Sequence, residues 1–291
     1  MSKQIVILND WRYKTAVSYL ETSLRTVFNT NVEIRYANAD QLNNKQLWQA
    51  DKTCLFITPP ITGEDCHYNE IFTSDIFKKK KEFIHQGGAH ITFCAGSYHT
   101  FEDMVFKSPT DGTIKTQRST TPLFKGTAMG PVQGLGAPVC PNNRYSDCIV
   151  TGITTDLDQK SLSLGVCYGN GCTFDIREPN VKIIATYDQG GHKLPAMVMK
   201  LVGQGLSIAS GIVPHYRYEQ TTVPALAQLN QNLKPHEAQR IRFMKGVWGI
   251  AAHNALTNGT IDAQDLSIPV SDIPKISPLN GKVPIISNRL G

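Results

Sequence analysis

Four short apolar runs, Ile5 to Leu8, Val32 to Ala37, Cys54 to Ile57 and Ala89 to Phe93, are separated by segments of helical character. This alternation limits the fold to an α/β sheet whose parallel strands carry helices on their faces. A first connecting helix is expected from about Thr15 to Phe28, where Val17, Leu20, Leu24 and Val27 recur at helical spacing. The third run is stopped by Pro59-Pro60, and a loop comes next. Ser74 is placed to cap a helix that runs through Phe77, Phe83 and Ile84 to Gln86, where Gly87-Gly88 supplies the left-handed residues of a helix end.

The fourth run leads into Phe93-Cys94-Ala95-Gly96-Ser97. A reactive side chain on a sharp strand-to-helix turn, followed by small residues that let the chain reverse, is the pattern of a nucleophile elbow. A helix opening there points the positive end of its dipole at the thiol and favours the thiolate. The alternative reading of Cys94 is a buried structural cysteine. In the strand order implied by the alternation, the turn lies at the carboxyl edge of a central strand, where open α/β sheets bind their ligands.

From Phe106 to Val181 the pattern is turn-rich and antiparallel, punctuated by Ser108-Pro109-Thr110-Asp111-Gly112, Gly134-Leu135-Gly136 and Tyr168-Gly169-Asn170-Gly171, and reads as hairpins and loops decorating the sheet. Val181 to Thr186, Ala196 to Leu201 and Leu206 to Ile212 return to strand character. Val223 to Leu233 and Pro235 to Leu256 then read as helices, the second with an apolar stripe of Ile241, Met244, Val247, Trp248 and Ala251. The tail from Ile268 to Gly291 is expected to be extended over the surface or partly disordered.

With 291 residues, 41% of them hydrophobic, and a mean hydropathy of −0.23, the chain can bury one large core or two smaller ones. No apolar run approaches the roughly 20 residues needed to cross a bilayer. Met1-Ser2-Lys3-Gln4 leads into the first strand without a signal-peptide pattern, so a cytoplasmic protein is expected. Seven cysteines, at 54, 66, 94, 140, 148, 167 and 172, are odd in number and unevenly spaced, as expected of free thiols in a reducing compartment. Neither Cys66-His67 nor Cys167 with Cys172 has the paired spacing of a zinc site, and neither metal nor cofactor is expected. The net charge of +5 is dispersed, and its one dense run, Lys78 to Lys81, reads as a solvated helix face and not as a nucleic-acid site.

A thiolate nucleophile needs a base in hydrogen-bond reach and an acceptor that orients the base. His215 comes after the strand-like run Leu206 to Val213, which places it at the same sheet edge as Cys94, on a loop that leaves its ring free to swing toward the thiol. A solvated loop histidine is the other reading. Glu219, four residues on, comes to the same face if the segment is helical. His99 and His67 are competing bases, and Tyr98 is a candidate pocket wall.

Taken together these segments resemble the N-terminal domain of eukaryotic-type biotin-protein ligases, a branch of the class I glutamine amidotransferase-like superfamily that also occurs as stand-alone proteins. The resemblance is carried by Asn9-Asp10, Phe93 to Tyr98, Gly126-Thr127-Ala128-Met129-Gly130-Pro131, Tyr168-Gly169-Asn170-Gly171-Cys172-Thr173-Phe174, and Leu194 to Val198 with Gly203-Gln204-Gly205 and Pro214-His215. It implies a flavodoxin-like three-layer sandwich with a mostly parallel central sheet, an antiparallel insertion and C-terminal helices. Residues 1–220 would form the amidotransferase-like domain, and 221–291 the helices and tail packed on it. It also implies a Cys-His-Glu site that maps onto Cys94, His215 and Glu219, with Ala95, Gly96, Tyr98, Gly63, Asn170 and Gly171 as binding positions.

Two departures stand out. The superfamily's His-Pro-Glu is replaced by His215-Tyr216-Arg217-Tyr218-Glu219, which displaces the carboxylate by two positions. The Gly-Gly turn that presents an oxyanion donor is replaced by Thr58-Pro59-Pro60-Ile61-Thr62-Gly63. Proline has no N–H, so either that donor is lost or Ile61, Thr62 or Gly63 supplies it, while the N–H of Ala95 is retained. No Gly-Arg-Gly-Arg-type loop for a biotinyl-adenylate is present, and biotin ligation is not expected.

Two functional classes remain. One is a cysteine-dependent amide or acyl hydrolase acting on a small-molecule or peptide amide. The other is a catalytically weak binding or regulatory module of the same fold. A redox-sensing thiol is a third. Partners are expected to exclude nucleic acid and membrane and to allow another protein or a second copy of the chain.

Overall fold

The structure is a computed structural model that describes residues 3–11, 17, 19–61, 68–132, 134–135, 148–157, 161–188, 193–217 and 224–275. Strands are numbered in chain order. The first four, β1 (Lys3–Leu8), β2 (Val32–Ala37), β3 (Thr53–Thr58) and β4 (Ala89–Phe93), match the four apolar runs. They pair in parallel in the order β2-β1-β3-β4, and β13 (Gly205–Ser210) continues the parallel set beside β4. This is the flavodoxin-like order, 2-1-3-4-5. Its register aligns Ile7, Ile57, Ile91 and Ile208 as one row across four strands. Because side chains alternate across a strand, the adjacent row, Val6, Phe56, His90 and Ser207, faces the other way.

The isoleucine face is covered by α6 (Glu237–Thr257), whose Val247, Trp248 and Ala251 enter the same core as Ile7, Ile57, Ile91 and Phe93. Burial of side chains of this size contributes roughly 1.5–3 kcal/mol each. The Trp248 Nε1–H, the one polar atom of that side chain, donates to Ser23 Oγ at 2.8 Å. Of the expected stripe, Met244, Val247, Trp248 and Ala251 are buried, but Ile241 is 36% exposed. The buried position one turn before Met244 is occupied instead by Arg240.

The opposite face is covered by α3 (Ser74–His85), through Ile76, Phe83 and Ile84. Thr73, not Ser74, occupies the position before its first turn, and Gly87 lies just past its end with φ 109°. The lysine run corrects one expectation. Lys80 is buried, with Nζ 4.4 Å from the ring centroids of both Phe72 and Phe77, and burial lowers its pKa to about 7. A run of four cations on a helix cannot place all four on the outer face, and here the one on the inner side is covered by aromatic rings.

Between β4 and β11 (Val181–Tyr187) the chain does more than decorate the sheet. β5 (Phe101–Lys107), β6 (Ile114–Arg118), β7 (Phe124–Gly130) and β10 (Thr173–Ile176) form a second sheet, ordered β10-β7-β5-β6. It shares the core of the α3 face through Phe101, which stacks on Phe124 and Phe174 at 4.9 and 4.8 Å. β8 (Ile149–Thr155) and β9 (Leu162–Tyr168), by contrast, extend the main sheet beyond β12 (Pro195–Val202) and β11 as antiparallel strands. The main sheet thus has nine strands, β2-β1-β3-β4-β13-β12-β11-β8-β9.

The expected Thr15–Phe28 helix is, among the described residues, only α1 (Leu20–Leu24), preceded by Tyr19 in the left-handed region at φ 68°. α2 (Tyr68–Ile71) is a single turn, α4 (Ala95–Tyr98) another, and α5 is Pro224–Leu233. No helix among the described residues is long and apolar enough to cross a membrane. Residues 276–291 of the tail lie outside the described residues.

Candidate active site

Cys94 takes φ 48° and ψ −114° at the carboxyl end of β4. An L-residue there stores roughly 1–3 kcal/mol of strain, held only by surrounding structure. The surroundings are specific. The Cys94 N–H donates to the Ser210 carbonyl at 2.7 Å, and the Ser97 N–H to the Cys94 carbonyl at 2.9 Å. Ser97 Oγ accepts the Ser210 N–H at 2.9 Å and lies 2.8 Å from both the Ser210 carbonyl and Thr92 Oγ1. The turn is thereby fastened to the end of β13. Gly96 is required for the same approach, since a Cβ there would lie 2.8 Å from Thr58 Cγ2 at the end of β3.

Beyond the turn the expected helix is short. The helix after Cys94 is the single turn α4, and the chain passes at once into β5. Its dipole is correspondingly small and adds little to thiol acidity. The Cys94 thiol is 5% exposed and donates to the Gly169 carbonyl at 3.2 Å. Cys94 belongs to a small apolar cluster with Cys167, Val213, Tyr216, Leu229 and Leu233.

The Tyr168 to Phe174 segment closes over the turn. Tyr98 Oη donates to the Asn170 carbonyl at 3.0 Å, and Tyr168 Oη donates to the Gly171 carbonyl at 2.9 Å while accepting the Val132 N–H at 2.7 Å. Asn170 takes φ 58° and buries an Oδ1 that has no hydrogen-bond partner. Gly171 lies so close to Gly211 that any Cβ would collide with the Gly211 carbonyl oxygen. Ala95, Gly96, Tyr98, Asn170 and Gly171 are therefore gathered at one place. Gly63 lies outside the described residues; before it, Pro59 is held through its carbonyl by the Tyr68 hydroxyl.

His215 comes to the same sheet edge, but not as a mobile loop residue. Val213 bridges to Cys167 of β9, and the imidazole packs edge-on against Phe93 at 4.6 Å, 2% exposed. Neither ring nitrogen has a hydrogen-bond partner among the described residues, so His215 and Cys94 are not hydrogen-bonded in this arrangement. Burial, then the positive charge of Arg240, lowers its pKa to about 3, and the ring is neutral at pH 7. Glu219 and His67 lie outside the described residues. His99, the other competitor, packs against Tyr68 and lines a cavity of about 150 Å³ with Phe72, Phe77 and Tyr98.

Two contributors carry only a faint signal in the sequence. Ser97 reads there as no more than a small residue. Arg240 is 2% exposed and none of its three guanidinium nitrogens has a hydrogen-bond partner among the described residues. Its one signal is its place, an arginine four residues before Met244 on a buried stripe. No group of three or more His, Cys, Asp or Glu among the described residues is placed to hold a metal ion.

Residues 7–265 match the family described as biotin-protein ligase, N terminal. The chain is 27% identical over 194 residues to the biotin–protein ligase of Schizosaccharomyces pombe, covering 65% of this chain and 30% of that protein. It is 24% identical over 235 residues to an uncharacterized protein of Chlamydia muridarum, covering 77% and 83%. The match to the ligase thus spans less than a third of its length. Among solved structures, a glutamine amidotransferase superimposes with a TM-score of 0.46 at 15% identity over 79% of this chain and 98% of that one.

Proposed function

The chain belongs to the biotin-protein ligase N-terminal family, and from that premise we propose that it is a cysteine-dependent amide or acyl hydrolase with Cys94 as nucleophile. The observation that carries this reading is the backbone of Cys94, φ 48° and ψ −114° at the carboxyl end of a central parallel strand. Strain of that kind persists where it positions a reacting atom. In the reaction, His215 takes the thiol proton, the sulfur bonds to the acyl carbon, and the Ala95 N–H stabilises the oxyanion. The C–N bond then breaks, nitrogen leaves with the proton from His215, and water hydrolyses the thioester to regenerate the thiol. Substrate entry has to move the thiol off the Gly169 carbonyl and bring His215 to it. Glu219 is the proposed acceptor behind His215.

Ammonia release from a panel of primary carboxamides, with intact-mass detection of the thioester, tests the reading. Cys94→Ala is expected to abolish both signals, and undiminished turnover in that variant would refute the nucleophile. A second reading, a binding or regulatory module without turnover, is favoured by one observation: His215 makes no hydrogen bond to Cys94 and carries both ring nitrogens bare. It expects ligand binding near Cys94 and Tyr98 with no acyl-enzyme. Alkylation of Cys94 by iodoacetamide across pH separates the two. A profile that changes in His215→Ala supports the dyad, and one that ignores the substitution supports the module.

A further inference from the structure

A cavity of about 110 Å³ opens beside His215, between the loop Pro214–Arg217, the first turn of α6 and the polar side of α1. Its volume is well above the roughly 10–15 Å³ that one water needs. Arg240 and His215 line it, Arg217 is at its edge, and Thr22 of α1 is exposed at its rim. The two arginines face one carboxylate: Glu237 accepts a hydrogen bond from Arg217 at 3.4 Å and leaves the nitrogens of Arg240 unbonded. A desolvated guanidinium with no acceptor is among the least favourable arrangements a folded protein keeps. Its fork of donors matches a planar carboxylate or a phosphate, bound through two parallel hydrogen bonds.

We propose that this cavity is an anion subsite that takes the carboxylate or phosphate of a small molecule, with Arg240 as its principal ligand and Arg217 at its mouth. Nothing in the proposal needs Cys94 to be a nucleophile. If it is one, the same anion gives His215 the acceptor it lacks among the described residues, so occupancy would set the reactivity of the thiol.

The test is titration of the full chain with inorganic phosphate and, separately, with succinate, at constant ionic strength set by chloride, reading heat and Tm. Saturable binding of either supports the subsite, and the preferred one identifies the chemistry. Arg240→Met should bind at least about tenfold more weakly, the least that loss of one charge-assisted hydrogen bond implies. Its ligand-free Tm should equal or exceed that of the parent, because the unpaired buried charge is gone. Arg217→Gln, a milder change, covers the case in which Arg240→Met fails to fold, and should weaken binding less. Binding unchanged in either variant would overturn the subsite. So would absence of saturable binding of both anions to the parent chain, and a large Tm loss in Glu219→Gln would then make Glu219 the partner of Arg240. Loss of amide turnover in Cys94→Ala with anion binding intact keeps the two proposals apart.

Discussion

Under the Cys94 turn, the hydroxyls of Thr92, Ser97 and Ser210 bond to one another or to the backbone of β13 and the residues after it. Nearby, His215 and Arg240 of α6 are buried to a similar degree, and their nitrogens have no hydrogen-bond partner among the described residues. The first group holds a strained backbone in place, which requires donors and acceptors already matched in the empty protein. The second group leaves five nitrogens unbonded among the described residues and so adds no such hydrogen bonds to the fold.

The support around the turn is stiffest at Gly171. Gly171→Ala places a methyl against the Gly211 carbonyl with no flexible side chain to yield, and is expected to cost about 3 kcal/mol or more in urea unfolding. A neutral result would mean that the loop over the turn is soft.

Next is the acid dependence of His215. Its pKa is held below the ordinary 6.5, at about 3, so below pH 6.5 the unfolded chain takes up a proton that the native ring refuses. This contribution is fully present above pH 6.5 and is lost as pH falls toward 3, at roughly 1.4 kcal/mol per pH unit. His99 is lowered to about 3 in the same way, so the diagnostic is the difference between parent and His215→Leu in unfolding free energy from pH 7 to 4. Identical slopes would mean that the ring is solvated.

The smallest expected effect is Ser97→Ala. It leaves the buried Ser210 N–H without its acceptor and should cost about 1–2 kcal/mol in urea unfolding, while raising the alkylation rate of Cys94 as the turn loosens. Unchanged stability would remove the distinction between the two groups.

The four leading strands and the Cys94 turn were legible because their signals are local: β-branched runs, a proline stop, and small residues after the nucleophile. The α6 stripe was legible for the same reason, except at Ile241 and Arg240, where helical period alone cannot tell which of two neighbouring positions meets the core. The segment from Phe106 to Val181 reads as antiparallel ornament; β6 on β5, β10 on β7 and β9 on β8 are antiparallel, but β7 pairs with β5 in parallel, and none of it is ornament. Which strand pairs with which depends on contacts far apart in sequence, and β8 and β9 join the main sheet while β5, β6, β7 and β10 do not. Lys80 defeats a reading by composition, because a lysine run looks solvated until Phe72 and Phe77 fold over one of its members.

The α/β order, the position of Cys94 on a tight reversal at a strand end and membership in its family are written in the chain itself, since they depend on periodicity, backbone permissiveness and short motifs. Burial of His215 against Phe93, and of Arg240 beside it with no hydrogen-bond acceptor among the described residues, appears only in the folded structure. Burial and electrostatics are properties of what surrounds a side chain, and residues 25 positions apart in the chain become neighbours only when α6 docks on the sheet.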